Sequence, residues 1–256
     1  MMNPAEFDNI ALAEERFWWY RGMRQITFAL LDPAVGGRRI RHALEAGCGT
    51  GHFSLQLAKR YGWEMFSLDL GWKGLEYGKR MGAPRLTQAD IRRLPYASAS
   101  FDAVVSMDVI VHLPRGEEAL PLAEFARILR PGGLLALRVS ALDILRSRHS
   151  IWAAERQRFT RPRLLRATKA AGFRPLRCTY ANSLLFPVAF AKFRIVEPLS
   201  RSKPSSGVEP VPAWLDSLLY APLLAESKWI AAGGGFPIGQ SLLLLAEKPA
   251  DTTNSH

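Results

Sequence analysis

His42-Ala43-Leu44-Glu45-Ala46-Gly47-Cys48-Gly49-Thr50-Gly51 is the stretch on which the fold turns. Its first half is a short apolar strand that runs into glycines, and the residues after it, His52 to Tyr61, return to helical spacing through Phe53, Leu55, Leu57 and Ala58. A glycine-rich turn between a strand and a helix lets the backbone approach a ligand and leaves helix N-terminal amides free to meet it. A dinucleotide-binding loop has the spacing G-x-G-x-x-G, and the residue that would complete that pattern here is His52.

Downstream the alternation continues. Strands are expected at Glu64 to Leu70, Arg85 to Ala89, Phe101 to Met107, Leu134 to Val139, Pro175 to Tyr180 and Ser241 to Ala246. Helices are expected at Lys73 to Met81, Gly116 to Leu129 and Arg161 to Ala171, with a turn at Arg130-Pro131-Gly132-Gly133. Strands separated by helices predict an α/β sheet that is mostly parallel, because parallel neighbours need crossover connections. Upstream, Ala11 to Leu31 reads as one helix ending near Asp32-Pro33. About sixty residues separate the last two strands, too many for a plain connection. Within them Ser200 to Pro212 reads as a mobile loop and Trp214 to Ala232 as a helix interrupted at Pro222. The expected organisation is a helical lid over 1–36, a core over 37–180, an aromatic, partly helical insertion over 181–240, and a final strand and tail over 241–256.

Composition narrows the function. Cys48 and Cys178 are the two cysteines, which provides neither a disulfide framework nor a thiol cluster, and no metal is expected. The segment Met1 to Ala13 lacks a basic stretch followed by an apolar run. The apolar stretches Ser183 to Val196 and Leu242 to Ala246 are too short or too interrupted to span a bilayer. The expected location is cytoplasmic. The net charge of +11 points to an anionic partner, and it concentrates between Ala141 and Tyr180, where ten Arg or Lys face only Asp143 and Glu155. A solvated basic face, an anionic substrate and a peripheral membrane surface all fit that run.

The loop from Ala43 to Gly51 resembles the first motif of class I S-adenosylmethionine-dependent methyltransferases, the small-molecule group that includes quinone- and sterol-type C-methyltransferases. Further stretches match in order: Ser67-Leu68-Asp69-Leu70, Gln88-Ala89-Asp90-Ile91, Leu94-Pro95-Tyr96 through Ser100-Phe101-Asp102-Ala103-Val104-Val105, and Ile128-Leu129-Arg130-Pro131-Gly132-Gly133. The resemblance is strongest from about Leu44 to Val139. It implies a Rossmann-like fold: a seven-stranded, mostly parallel sheet with helices on both faces, the last strand antiparallel, an N-terminal helix, and an insertion between the last two strands.

For function the resemblance implies S-adenosyl-L-methionine as cofactor, S-adenosyl-L-homocysteine as product, and a small-molecule acceptor. Glu45, Gly47, Gly49 and Gly51 would form the cofactor loop, Asp69 and Leu70 the ribose contact, Asp90 and Ile91 the adenine contact, with Met107 and His112 nearby. Tyr20, Arg21 and Arg24, in the aromatic run Phe17 to Arg24, are candidates to meet the cofactor carboxylate from a closing helix; ordinary packing of Phe17 and Trp18 on the sheet is the alternative. Methyl transfer from a sulfonium is an in-line displacement, so positioning dominates and a base is needed only for some acceptors. His112 is the first candidate base; packing as a hydrogen-bonded histidine is the alternative.

The run from Ala154 to Thr160 resembles a Gly-His-x-Arg-Arg-Tyr-Thr segment of bacterial methyltransferases, but Ala154, Glu155, Gln157 and Phe159 replace its Gly, His, first Arg and Tyr. This makes His149 and Glu155 further catalytic candidates, against a plain helix start capped by Thr160. The insertion aromatics Phe186, Phe190, Phe193, Trp214, Tyr220, Trp229 and Phe236 suit a cap over an apolar or lipid-like acceptor, a homodimer interface or ordinary core. A nucleic-acid methyltransferase is disfavoured, since Ser106-Met107-Asp108-Val109 lacks the Asn/Asp-Pro-Pro-aromatic grip on a flipped base. A cofactor-binding regulatory protein without catalysis is the remaining alternative.

Overall fold

The computed structural model of the chain describes residues 3–200, 206–208 and 211–250. The loop expected over 200–212 lies largely outside these residues. Seven strands form one sheet: β1 (His42–Ala46), β2 (Glu64–Asp69), β3 (Leu86–Gln88), β4 (Phe101–Met107), β5 (Leu129–Ser140), β6 (Arg174–Ala181) and β7 (Ser241–Glu247). Their order is β3-β2-β1-β4-β5-β7-β6. The pairs among β1 to β5 are parallel, and β7 runs antiparallel between β5 and β6. The Rossmann-like fold that the motifs imply is therefore the fold observed. The Arg130-Pro131-Gly132-Gly133 turn is a slip inside β5: Phe101 pairs with Leu129, but Ala103 pairs with Leu134.

The chain leaves β1 in one direction toward β2 and returns through β4 on the other side of β1. This is the topological switch point, where connections diverge and a crevice opens beyond the C-terminal strand ends. The glycine loop after β1 and the Asp108 to His112 turn after β4 flank it.

One face of the sheet is covered by α5 (Ala119–Ile128) and α7 (Arg161–Ala170), which bury Leu122, Phe125, Ile128 and Leu164 against Leu44, Val104, Leu135 and Leu244. The other is covered by α2 (Trp18–Val35), α3 (His52–Tyr61) and α10 (Ala213–Ala231), through Met23, Ile26, Leu30, Leu57, Leu223 and Ile230. Much of the insertion is thus core rather than cap. The second half of α10 lies along α2 so closely that a β-carbon on Gly22 would fall 2.2 Å from the Leu223 side chain. The Glu226 carboxylate, buried in α10, accepts the N–H groups of Ser183 and Leu184 at 2.7 Å each and so fixes the chain where it leaves the sheet. From there α8 (Phe186–Ala191), a π-helical turn (Lys192–Val196) and α9 (Glu197–Leu199) run without a break.

Three element boundaries differ from expectation, each for a physical reason. The single helix expected over Ala11 to Leu31 is two: α1 (Glu6–Ala13) and α2. Phe17 between them is extended, and the Asp216 carboxylate of α10 accepts the Trp18 N–H at 2.8 Å, a cap supplied from 198 residues away. Helix α2 continues past Pro33 to Val35, since a proline in the last turn forfeits a single bond. Pro222 does not interrupt α10; the carbonyl it leaves without an N–H partner belongs to Leu218, on an exposed turn.

Candidate active site

A single cavity of about 1130 Å³ opens at the switch point and extends under the insertion. Almost every residue expected at the site lines it: Tyr20, Arg24, Glu45, Gly47, Gly49, Asp69, Leu70, Asp90, Ile91, Met107, His112, His149 and Glu155. Gly51 does not. It takes φ +74 at the start of α3, and a β-carbon there would sit 2.5 Å from that of Ala83, so it serves the turn and the close approach to the segment after α4 (Trp72–Met81).

The loop is tied to β2 at two levels. The N–H groups of Gly47 and Cys48 both donate to the Leu68 carbonyl, at 2.7 and 2.8 Å. The Asp69 carboxylate accepts the Gly49 N–H at 2.8 Å and the Gly71 N–H at 2.7 Å. Burial raises the Asp69 carboxyl above the usual range, against the pull of those N–H groups. Glu45 is buried under the loop, accepts the Ser54 hydroxyl, and is pushed up to about 8 by burial. The Cys48 thiol is held well above its ordinary value by burial and by neighbouring Glu45 and Asp69, which keeps it inert. Asp90 is held below the usual carboxylate range by hydrogen bonds from Arg92, which also reaches Glu117 at 2.8 Å.

Helix α1, absent from the sequence reading, crosses this loop. Phe7 is 3% exposed, and β-carbons on Gly71 and Gly74 would each fall 2.6 Å from its ring. Glu6 accepts the Trp152 indole N–H at 2.8 Å, and Asp8 pairs with Lys73 and Tyr77. Just beyond α1, Glu14 accepts the Thr50 hydroxyl at 2.5 Å, and the Glu14 carbonyl receives the Arg24 guanidinium at 3.2 Å. Arg21 instead pairs with Asp216 and lies over the Tyr220 ring, so among the arginines of this run Arg24 faces the cavity. Phe7→Ala is expected to cost about 3 kcal/mol of stability and to weaken cofactor binding; calorimetry below the melting temperature checks the second effect.

Glu14 also supplies a pH signature. Burial pushes its carboxyl up to about 7, and its Oε1 has no hydrogen-bond partner. A carboxyl whose pKa rises on folding binds its proton more tightly when folded. Its stabilising contribution is therefore complete below about pH 4.5 and is lost as pH rises through 7. Glu14→Gln keeps an acceptor for Thr50 and removes the ionisation. It is expected to melt higher than wild type at pH 8, by an amount on the order of 2 kcal/mol, and to converge with it near pH 5. A lower melting temperature at pH 8 would refute the assignment.

On the far side, His112 closes the 3-10 turn Ile110–His112 after β4, and its Nδ1 lies 3.3 Å from the Ala154 carbonyl oxygen. A carbonyl only accepts, so Nδ1 carries the proton and Nε2 keeps its lone pair. Burial holds the imidazole below its ordinary value. Ala154 stands in the left-handed region at φ +57, where the related segment has glycine. Glu155 is engaged: its carboxylate pairs with buried Arg158 at 2.9 Å, and Arg158 reaches on to Ser150 and to the Ala141 carbonyl. His149 Nδ1 accepts the Gly207 N–H at 2.9 Å, and burial lowers its pKa as well. Thr160 does precede α7, but its hydroxyl makes no cap bond.

Asp108 and Arg138 were not foreseen. They pair at 2.7 Å on the cavity wall, with Trp19 against the guanidinium. A charged pair at the ends of adjacent strands carries no local pattern to find it by. Three of the ten basic residues between Ala141 and Tyr180 are ion-paired, Arg158 on Glu155, Arg163 on Glu118 and Arg174 on Glu247. Of the expected aromatic cap, Phe193 lines the cavity, whereas Trp214 and Trp229 are mostly exposed. No cluster of three or more metal-ligating side chains occurs among the described residues.

A family profile described as "Methyltransferase domain" matches residues 44–137. An O-methyltransferase of Aspergillus sclerotiorum is 30% identical over 148 residues, covering 55% of this chain and 52% of the relative. A malonyl-[acyl-carrier protein] O-methyltransferase of Enterobacter lignolyticus is 37% identical over 125 residues, covering 48% and 49%. The chain thus spans about half the length of these curated relatives. Geranyl diphosphate C-methyltransferase from Streptomyces coelicolor, solved with geranyl diphosphate and S-adenosyl-L-homocysteine, superposes with a TM-score of 0.55 at 15% identity over 81% of this chain and 72% of that one. The shared fold, the loop geometry and the profile over residues 44–137 agree: this stretch is similar to methyltransferase domains and sits in a Rossmann-like fold.

Proposed function

We propose that this protein binds S-adenosyl-L-methionine at the switch point and methylates an oxygen of a small, largely apolar or lipid-like molecule held beneath the insertion. The observation that carries the reading is the continuity of the cavity. It joins the glycine loop and Asp69 to His112 and His149, and then to Phe193, Val196, Leu215 and Leu219. Its volume of about 1130 Å³ exceeds what one small molecule usually fills, about 300 to 1,000 Å³. The choice of oxygen rests on the relatives named as O-methyltransferases.

The residues present fit the cofactor. A β-carbon on Gly49 would meet nothing nearer than 3.9 Å, which leaves a cradle open on that side of the loop. Glu45, Gly47 and Gly49 would hold the amino-acid end, Asp69 and Leu70 the ribose, and Asp90 and Ile91 the adenine, with Met107 alongside. Arg24 and Tyr20 approach from α2 toward the carboxylate. Bound there, the cofactor supplies an electrophilic methyl group on its sulfonium. Helix α1, with Phe7 over the loop, excludes water from that end. His112 takes the acceptor's proton at Nε2, while Glu155 acts indirectly by fixing Arg158, and His149 positions the acceptor from the wall.

Methyl-labelled cofactor incubated with the protein and a panel of apolar hydroxy and carboxylic acids tests the reading. Label in an ether or ester product is expected. Cofactor binding with no labelled product from the panel or from cell extract would mean a binding protein without transferase activity.

A further inference from the structure

The helical run from α8 through α9 is apolar on both faces, although only one face is covered. Leu185 and Ala189 turn inward, at 9% and 8% exposure, and Phe193 continues that side onto the cavity wall, whereas Val196 sits at the cavity rim with 58% exposure. On the outer side Leu184, Val188, Ile195 and Leu199 are 51, 61, 56 and 81% exposed. Val188 in α8, Ile195 in the π-helical turn and Leu199 in α9 thus leave aliphatic side chains in water along the whole run. Uncovered side chains of this kind on a water-facing helix mark a surface that meets something else. At the start of α10 the pattern repeats: Leu215 and Leu219 line the cavity, while their neighbours Trp214 and Leu218 are exposed.

Charge decides between occupants. Arg194 is exposed on the outer side of this run and Lys192 is exposed at the cavity rim, whereas the run's acid, Glu197, accepts the Arg148 N–H at 3.0 Å. In a two-fold dimer through this face the cations of one copy would meet those of the other. Anionic headgroups would instead offer them partners, while the aliphatic side chains and an interfacial tryptophan enter the acyl boundary. We propose that the outer face of α8 to α9, with the exposed Trp214 of α10 as a further contact, docks the protein on an anionic lipid surface and turns the mouth of the cavity toward it. No described helix is long and apolar enough to cross a membrane. The inference concerns a surface and stands whether or not the acceptor is a lipid.

Vesicle flotation tests it, comparing phosphatidylcholine alone with phosphatidylcholine carrying about 30% phosphatidylserine. The full chain is expected to float with the anionic vesicles at about 0.15 M salt and to be released as salt is raised. The triple variant V188S/I195S/L199S and the single variant R194E should each bind at least about tenfold more weakly, with melting temperatures unchanged because the side chains are exposed. Flotation that is absent for the full chain, equal on neutral vesicles, or unaffected by the triple variant would overturn the proposal. So would a solution dimer that the triple variant dissociates, which would assign the face to a second copy. Loss of vesicle binding with labelled methyl transfer intact leaves the proposed function untouched, and the converse result leaves the docking face untouched.

Discussion

Gly47→Ala is expected to weaken S-adenosylmethionine binding by at least about a hundredfold, or about 2.7 kcal/mol. Two costs converge. Gly47 adopts φ +87, where an L-residue pays about 1 to 2 kcal/mol. Its β-carbon would also lie 2.2 and 2.7 Å from the two methyl groups of Val109, an overlap of a kind that costs about 1 to 3 kcal/mol. The loop cannot drift away to relieve this, because Gly47 and Cys48 both hold the Leu68 carbonyl and Asp69 holds Gly49. Val109 is no freer, since it opens the turn that ends in His112. The clash therefore strains both walls of the switch point at once. Adding V109A should restore the part due to overlap and leave the part due to backbone conformation, so that G47A/V109A binds several-fold more tightly than G47A alone. If the double variant binds no better, sterics are not the cause; if G47A binds as wild type does, the cofactor does not lie on this loop.

That much was legible in the sequence because the determinants are local. A strand, a glycine loop and a helix follow one another within Ala43 to Tyr61, and the same holds for Asp69 at the end of β2 and Asp90 after β3. The motif order fixed the sheet, and the structure agrees down to the antiparallel β7. What escaped was set by contacts between distant segments. Helix α1 is eight residues long and gains its place from Phe7 on the glycines of another unit and from Glu6 on Trp152. The break between α1 and α2 depends on Asp216, far along the chain. The insertion's aromatic content fits cap, interface and core alike; α10 packs beside α2 because Gly22 admits Leu223, a complementarity no periodicity reports. Gly51 matched the motif yet packs close to Ala83 and does not line the cavity, because that position serves the turn and the approach of the segment after α4.

His112→Ala is expected to lower kcat about a hundredfold, in the range of a lost general base, while the cofactor Kd changes by less than about threefold. The imidazole is oriented from its far side. Nδ1 donates to the carbonyl of Ala154, a residue held in the left-handed region while the next N–H, that of Glu155, donates to the Ser150 carbonyl at 2.8 Å. The N–H groups of Arg156 and Gln157 both donate to the Val111 carbonyl, at 2.9 and 3.1 Å, so the segment that orients the ring is fastened to the turn that bears it. Burial favours the uncharged ring and holds its pKa below 6.5. A base must be neutral to accept a proton, so kcat should fall as pH drops through that lowered pKa and stay level above it. In H112A this acid limb should vanish together with the hundredfold rate. A merely structural histidine would behave otherwise: its removal would lower the melting temperature and loosen the cofactor, and the surviving activity would keep its acid limb.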